Sequence, residues 1–257
     1  DIIERICSGS LHISLAYAEA KNSYNYNLPS TSLSSDLLLN GTKNLVLNGG
    51  NANKLVVSCI HNEELALVIV NADKDGISMN TFPTVDGQSC AEITFENVSI
   101  NSEDVIGTGD NAITLLNNSI SLATLCVSAE AVGCMSSCYL KTVAYTKERE
   151  QFGQPISNFQ VLQHRMVDMF IESELAKSLL IKAMLEVNNN SEDMTKHVSA
   201  LKSYIGKAGK ISAQDAVQMH GGMGVSEEMM IGHYLKKMIS IDALFGNSDF
   251  HLKNISN

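Results

Sequence analysis

Two short segments carry the residue types that could hold an anionic ligand. The first is Gln218-Met219-His220-Gly221-Gly222-Met223-Gly224, and the second is Arg149-Glu150-Gln151-Phe152-Gly153-Gln154-Pro155-Ile156. Adjacent glycines at 221 and 222 remove side chains, so backbone can approach a flat or phosphorylated group closely. Arg149 offers a planar fork of donors that matches a pyrophosphate. The chain has three arginines, at 5, 149 and 165, within a formal net charge of -10. An acidic chain that binds an anion must concentrate its few cations locally, and Arg149 is placed to do so.

Other chemistry-bearing residues read more plainly. Glu130 shares a helical face with Val127 and Cys134 in an otherwise apolar stripe. A glutamate buried there would have a raised pKa and could act as a base; the alternative is a structural glutamate satisfied by helix or interface partners. His220, His233 and His251 show no metal spacing and read as surface or interface residues, and no zinc pattern links the six cysteines. Cys134 and Cys138, four apart, read as small core residues. Glu227-Glu228 reads as a charged helix start, and Lys236-Lys237 as a solvated face.

The elements that position these residues follow from periodicity. Short apolar runs at 36–40, 45–47, 54–60, 65–70 and 91–95 alternate with Asn40-Gly41, Asn48-Gly49, Asp75-Gly76 and Asp86-Gly87 turn signals. They predict a small antiparallel barrel or sandwich over residues 1–105. After Gly107 the period becomes helical. Stripes run from Ile113 to Cys138, from Leu162 to Val187 and from Val198 to Ile211, with two shorter helices after the glycine segment. Residues 106–257 therefore read as an antiparallel four-helix bundle, making the whole chain α+β. An acidic chain disfavours nucleic acid and anionic membranes as partners. No apolar run is read as a membrane span and no export signal opens the chain, so its unpaired cysteines point to a cytoplasmic setting.

Together the two anion-binding segments resemble the flavin-pyrophosphate elements of the acyl-CoA dehydrogenase family. The likeness continues through His233-Tyr234-Leu235-Lys236-Lys237 and Leu244-Phe245-Gly246-Asn247-Ser248-Asp249-Phe250-His251-Leu252. It implies an oxidoreductase of fatty acid metabolism that removes a proton and a hydride from an acyl-CoA thioester, with FAD as cofactor. It assigns Arg149, Gln151, Phe152, Gln218, Gly221, Gly222 and Asn247 to FAD binding. In the family these residues complete a flavin site on a neighbouring subunit, which implies a homo-oligomer or a hetero-tetramer with a catalytic paralogue. The family also has an N-terminal helical domain, lacking here; Ile3 to Gly9 resemble its end, and the chain is either a fragment or a protein without that domain.

Three departures accompany the likeness. The family's ring-binding loop corresponds to Ala18-Glu19-Ala20-Lys21-Asn22-Ser23-Tyr24-Asn25, without its threonine and glycines. The aromatic and hydroxyl of a second ring-binding segment correspond to Leu45 and Leu47. The catalytic glutamate corresponds to Phe245, and its alternative position to Ala123. The pattern resembles the small-subunit branch of two-subunit members such as pimeloyl-CoA dehydrogenase. It implies a partner subunit that completes a shared site, with a non-catalytic relic as the alternative.

Overall fold

The computed structural model describes residues 2–20 and 24–256. Of the predicted ring-loop counterpart, residues 21–23 lie outside the described residues. The chain divides into two compact units, Asp1–Ser119 and Ile120–Asn257.

The first unit opens with a short exposed helix, α1 (Ile2–Cys7), and is built on one eight-stranded sheet. Its strands are β1 (Ile13–Ala16), β2 (Ser32–Leu33), β3 (Leu38–Leu47), β4 (Lys54–His61), β5 (Glu64–Asn71), β6 (Ile77–Pro83), β7 (Ser89–Ser99) and β8 (Val105–Thr108). The order is β6-β7-β3-β2-β4-β5-β8, with β1 also beside β4. The strands β6 and β8 end this order, so the sheet is open and not a closed barrel. It is also mixed: β1 and β2 both run parallel to β4, while β3–β7, β4–β5 and β6–β7 are antiparallel. Strands of four and two residues are too short to show a period, which is why sequence alone did not place β1 and β2.

Two predicted strands, 36–40 and 45–47, are one strand, β3. The Asn40-Gly41 signal marks a bulge rather than a turn, with the register against β7 shifting between Leu39 and Gly41. Gly41 sits at φ +140°, and a Cβ there would lie 2.7 Å from the Thr31 Cα, so only glycine fits. The core is aliphatic, with Leu39, Leu55, Val57, Val68, Ile93 and Phe95 buried. Lys43 is also fully buried. Its ammonium donates to Glu19 Oε1 at 2.8 Å and to Ser58 Oγ at 3.0 Å.

The second unit is helical: most of α2 (Gly109–Glu148), then α3 (Gln160–Asn188), α4 (Met194–His220), α5 (Met230–Ala243) and α6 (Ser248–Ser256). The predicted stripes supply its core. Ala131, Val132, Met135 and Cys138 of α2 meet Met166, Met169, Ala176 and Ala183 of α3 and Val198, Leu201, Ile205 and Ala208 of α4. Ile211, the last residue of the third stripe, instead lies at the surface. The run Asn188–Ser191 ends α3 as its composition predicts.

The helix α2 also corrects an expectation. By length and composition it could cross a membrane, with a window of mean hydropathy 1.4. Serine, threonine and asparagine break its apolar run, which is why no span was read there. Thr124, Ser128 and Thr142 return their hydroxyls to carbonyls four residues back, which satisfies them without solvent.

Candidate functional site

At the end of α2 the backbone turns into a hairpin of two two-residue strands, β9 (Glu150–Gln151) and β10 (Gln154–Pro155). Its register pairs Gln151 with Gln154 and Glu150 with Pro155, so Phe152 and Gly153 alone form the loop. Both have positive φ, +57° and +77°, the requirement of a type I′ turn. Glycine adopts that geometry freely, whereas a phenylalanine there is strained. The consequence is a ring presented outward: Phe152 is 90% exposed, with the Phe159 ring edge-on to it at 6.0 Å. Arg149, at the root of the hairpin, is exposed, and among the described residues no carboxylate pairs with its guanidinium. Arg165, by contrast, is committed to Asp215 at 3.0 Å.

The glycine segment lies at the same end of the bundle. Helix α4 stops at His220, and Gly221 takes φ +58° and ψ -140°, a conformation only glycine holds without strain. Gly221 and Gly222 are exposed, and no described atom lies within 4 Å of where their Cβ atoms would stand. A tight 3-10 turn, Gly221–Val225, follows. Gln218, one turn earlier, is exposed beside a cleft of about 400 Å³ that it shares with Val161, Arg165 and Asp215. The hairpin and the glycine turn are joined through Tyr145, whose ring stacks on His220 with centroids 4.1 Å apart. An unpaired arginine, an exposed amide, an exposed ring and open glycine backbone thus share one end of the helical unit. That donor set suits the diphosphate of a dinucleotide.

Two sequence candidates take other places. Glu130 takes the second of its two readings, a glutamate satisfied by a structural partner: its side chain is 46% exposed and forms an ion pair with Lys237 at 2.9 Å. The burial that a base there needs is absent, because α5 brings a lysine to that face instead of an apolar lid. The Asn247 side chain is engaged locally, its Oδ1 accepting the Phe250 amide at 2.8 Å in the first turn of α6.

Phe245, where the resemblance expects a carboxylate, is buried at φ +56°. The turn around it is held by groups the sequence reading missed. The fully buried Lys202 donates to the Asp242 and Gly246 carbonyls. His251 Nε2 hydrogen-bonds the Phe245 carbonyl at 3.0 Å, and its Nδ1 lies 3.1 Å from Ser199 Oγ. Burial draws Lys202 down to about 8, and burial followed by the Lys202 charge draws His251 down to about 4. One signal for Lys202 was available: it lies four residues after Val198 and three before Ile205, on the apolar face of α4. Among the described residues, no cluster of three His, Cys, Asp or Glu side chains is placed to hold a metal.

Comparison with known proteins settles the family. The profile described as "Acyl-CoA dehydrogenase, C-terminal domain" matches residues 113–257, more than half of the chain. The chain belongs to the acyl-CoA dehydrogenase family. It is 27% identical over 211 residues to a probable acyl-CoA dehydrogenase, YngJ, of Bacillus subtilis, covering 78% of this chain and 55% of that protein. It is 28% identical over 214 residues to a mitochondrial isovaleryl-CoA dehydrogenase of Solanum tuberosum, covering 77% and 50%. The chain thus spans about half the length of the curated relatives it matches. An acyl-CoA dehydrogenase structure from Geobacillus kaustophilus superposes with a TM-score of 0.93 at 23% identity, covering 99% of this chain and 70% of that one. The structure described as PigA with FAD and proline gives 0.93 at 22%, covering 99% and 69%. The fold of an acyl-CoA dehydrogenase therefore extends through both units.

Proposed function

We propose that this chain serves FAD-linked α,β-dehydrogenation of an acyl-CoA thioester as a subunit that completes a shared flavin site. The observation that carries this reading is the pairing of Arg149 and the Phe152 ring with open Gly221–Gly222 backbone at one end of the helical unit. Arg149 would hold the FAD diphosphate through charge-assisted hydrogen bonds, the glycine turn would offer backbone amides, and Phe152 would cover the adenosine half. FAD supplies the hydride acceptor when bound. The chain lacks a carboxylate at the base position: Phe245 cannot take a proton, and Glu130 is committed to Lys237. The base and the ring-binding loops accordingly belong to the partner subunit, and the chain works in a homo-oligomer or with a catalytic paralogue. Being apolar on two faces, α3 supports an assembly: Val167, Ile171, Leu175, Ile181 and Leu185 are exposed on the side away from its buried stripe.

The test is flavin retention after gel filtration, for the chain alone and mixed with a catalytic acyl-CoA dehydrogenase subunit. Arg149→Ala removes bonds worth about 1.5–3 kcal/mol each and should strip most of the retained FAD while leaving the melt of the unliganded protein unchanged. Equal FAD in wild type and Arg149→Ala refutes the assignment. Robust acyl-CoA turnover by the isolated chain refutes the division of labour.

A further inference from the structure

The two halves of the diphosphate site come from distant parts of the sequence, yet one residue bonds to both. Tyr145 lies in the last turn of α2, and its backbone carbonyl accepts the Arg149 amide at 2.9 Å. Its hydroxyl donates a long hydrogen bond, 3.5 Å, to the His220 carbonyl, the group immediately before Gly221. Between these contacts its ring lies nearly parallel to the His220 imidazole, at 21°.

His220 is a firm platform for that ring. It is 4% exposed, and its Nδ1 lies 2.8 Å from the Ala216 carbonyl one turn back. A carbonyl can only accept, so Nδ1 carries the proton and the tautomer is fixed. Burial draws the imidazole pKa down, which keeps the ring neutral against the tyrosine. The buried Gly224 completes the packing: its Cβ position lies 3.0 Å from His220 Cβ and 2.6 Å from the Val217 carbonyl, so the turn closes tightly under the histidine.

We propose that Tyr145, seated on His220, is the positioning residue that sets the distance and angle between the Arg149 fork and the Gly221–Gly222 backbone. It touches no ligand itself and acts through both segments. A diphosphate requires its guanidinium and amide donors together within a few tenths of an ångström of their working positions. An arginine at the root of a strained two-residue hairpin does not hold such a position alone. The inference rests on the reading that Arg149 and the glycine turn hold the diphosphate of FAD.

The experiment has a ligand-free arm and a binding arm. In the first, hydrogen exchange is followed at the amides of 149–154 and 221–225 in wild type, Tyr145→Phe and Tyr145→Leu. Tyr145→Leu should accelerate both segments together while the α3 and α4 core amides stay protected. Tyr145→Phe, which keeps the ring and loses the hydroxyl, should accelerate the glycine turn alone and leave the hairpin at the wild-type rate. In the second arm FAD is titrated into the chain, alone and mixed with a catalytic subunit. Tyr145→Leu should weaken binding about tenfold, Tyr145→Phe should recover most of it, and Arg149→Ala should cost several-fold less in the Tyr145→Leu background than in wild type. Unchanged exchange at both segments in Tyr145→Leu overturns the proposal. So does full additivity of Tyr145→Leu and Arg149→Ala, and in that outcome the flavin reading stands. FAD affinity insensitive to Arg149→Ala overturns the flavin reading itself, and the positioning role with it.

Discussion

Replacing Lys43 with methionine isolates the largest electrostatic commitment in the sheet unit. The Lys43 side chain is fully buried and its partner Glu19 is 5% exposed. Glu19 also accepts the Thr31 amide at 3.0 Å, the Thr31 hydroxyl at 2.7 Å and the Ser30 amide. Burial alone would push the Glu19 carboxyl up. The hydrogen bond and charge of Lys43 outweigh it, Thr31 and Ser30 add to them, and the result is about 2. Burial meanwhile draws Lys43 below its usual value, so the pair contributes less than the Glu19 shift alone implies. Removing one partner of a buried pair costs about 3–5 kcal/mol, because the other charge is left uncompensated. Three remaining donors to Glu19 place the expectation at the lower end, about 3 kcal/mol at neutral pH. The folded-state pKa lies below the unfolded one. The wild-type pair therefore contributes stability above about pH 4.5 that is lost as pH falls toward about 2, and Lys43→Met should flatten that loss. Exchange of the buried Val57 and Leu67 amides reports this unit by itself. Lys43→Met/Glu19→Gln should recover at least about half of the deficit, since no buried charge is left. A single variant within about 1 kcal/mol of wild type, or parallel pH curves for both, would refute the account.

Three further outcomes follow from other parts of the molecule. Gly224→Ala should destabilise the helical unit by about 1–3 kcal/mol, because its Cβ meets the Val217 carbonyl at 2.6 Å; Gly222→Ala, open on all sides, should leave the melt unchanged and weaken FAD binding. Lys202 has a folded pKa of about 8, below its unfolded value, so it contributes stability that is present above about pH 10.5 and lost as pH falls through about 8. Wild type should accordingly gain stability between about pH 7.5 and 9.5, and the gain should vanish in Lys202→Met, read by urea midpoints. Light scattering at micromolar concentration should give twice or four times 27.8 kDa, and Ile171→Asp with Ile181→Asp on the exposed stripe of α3 should lower it. A wild-type monomer counts against the shared-site reading.

The long helices α2, α3 and α4 were legible because each carries a stripe of core residues over several turns, as Met166, Met169, Ala176 and Ala183 do on α3. Most of the longer strands were legible from alternation and turn signals; β6, with no buried residue, was not. What escaped was set by tertiary pairing. The strands β1 and β2 have no period of their own and exist because one edge of β4 accepts them in parallel. Lys43 lies four residues after the buried Leu39, on the same face of β3, but a lysine in that phase reads as solvent-facing until Glu19 is known to meet it. A glycine that reads as a turn can equally be the one residue that lets Thr31 approach a strand, and Asn40-Gly41 carries no local mark to distinguish the two.

The site was legible in its outward-facing half. Arg149, Gly221 and Gly222 are visible in sequence as a donor fork and adjacent glycines, and Phe152 enters only through the resemblance to the family. The supporting half was not visible. Tyr145, His220, Lys202 and His251 are ordinary residues whose roles arise from contacts across 75, 40 and 52 positions, between Tyr145 and His220, Lys202 and Asp242, and Ser199 and His251. Glu130 had two readings in sequence, and its ion pair matches the structural one. Its apolar helical neighbours made it look buried, yet the covering surface was supplied by Lys237, and a lysine opposite a glutamate yields a surface ion pair rather than a poised base. The sequence of one helix shows which face will be covered but not what covers it. That single unknown separates a base from a structural charge at Glu130.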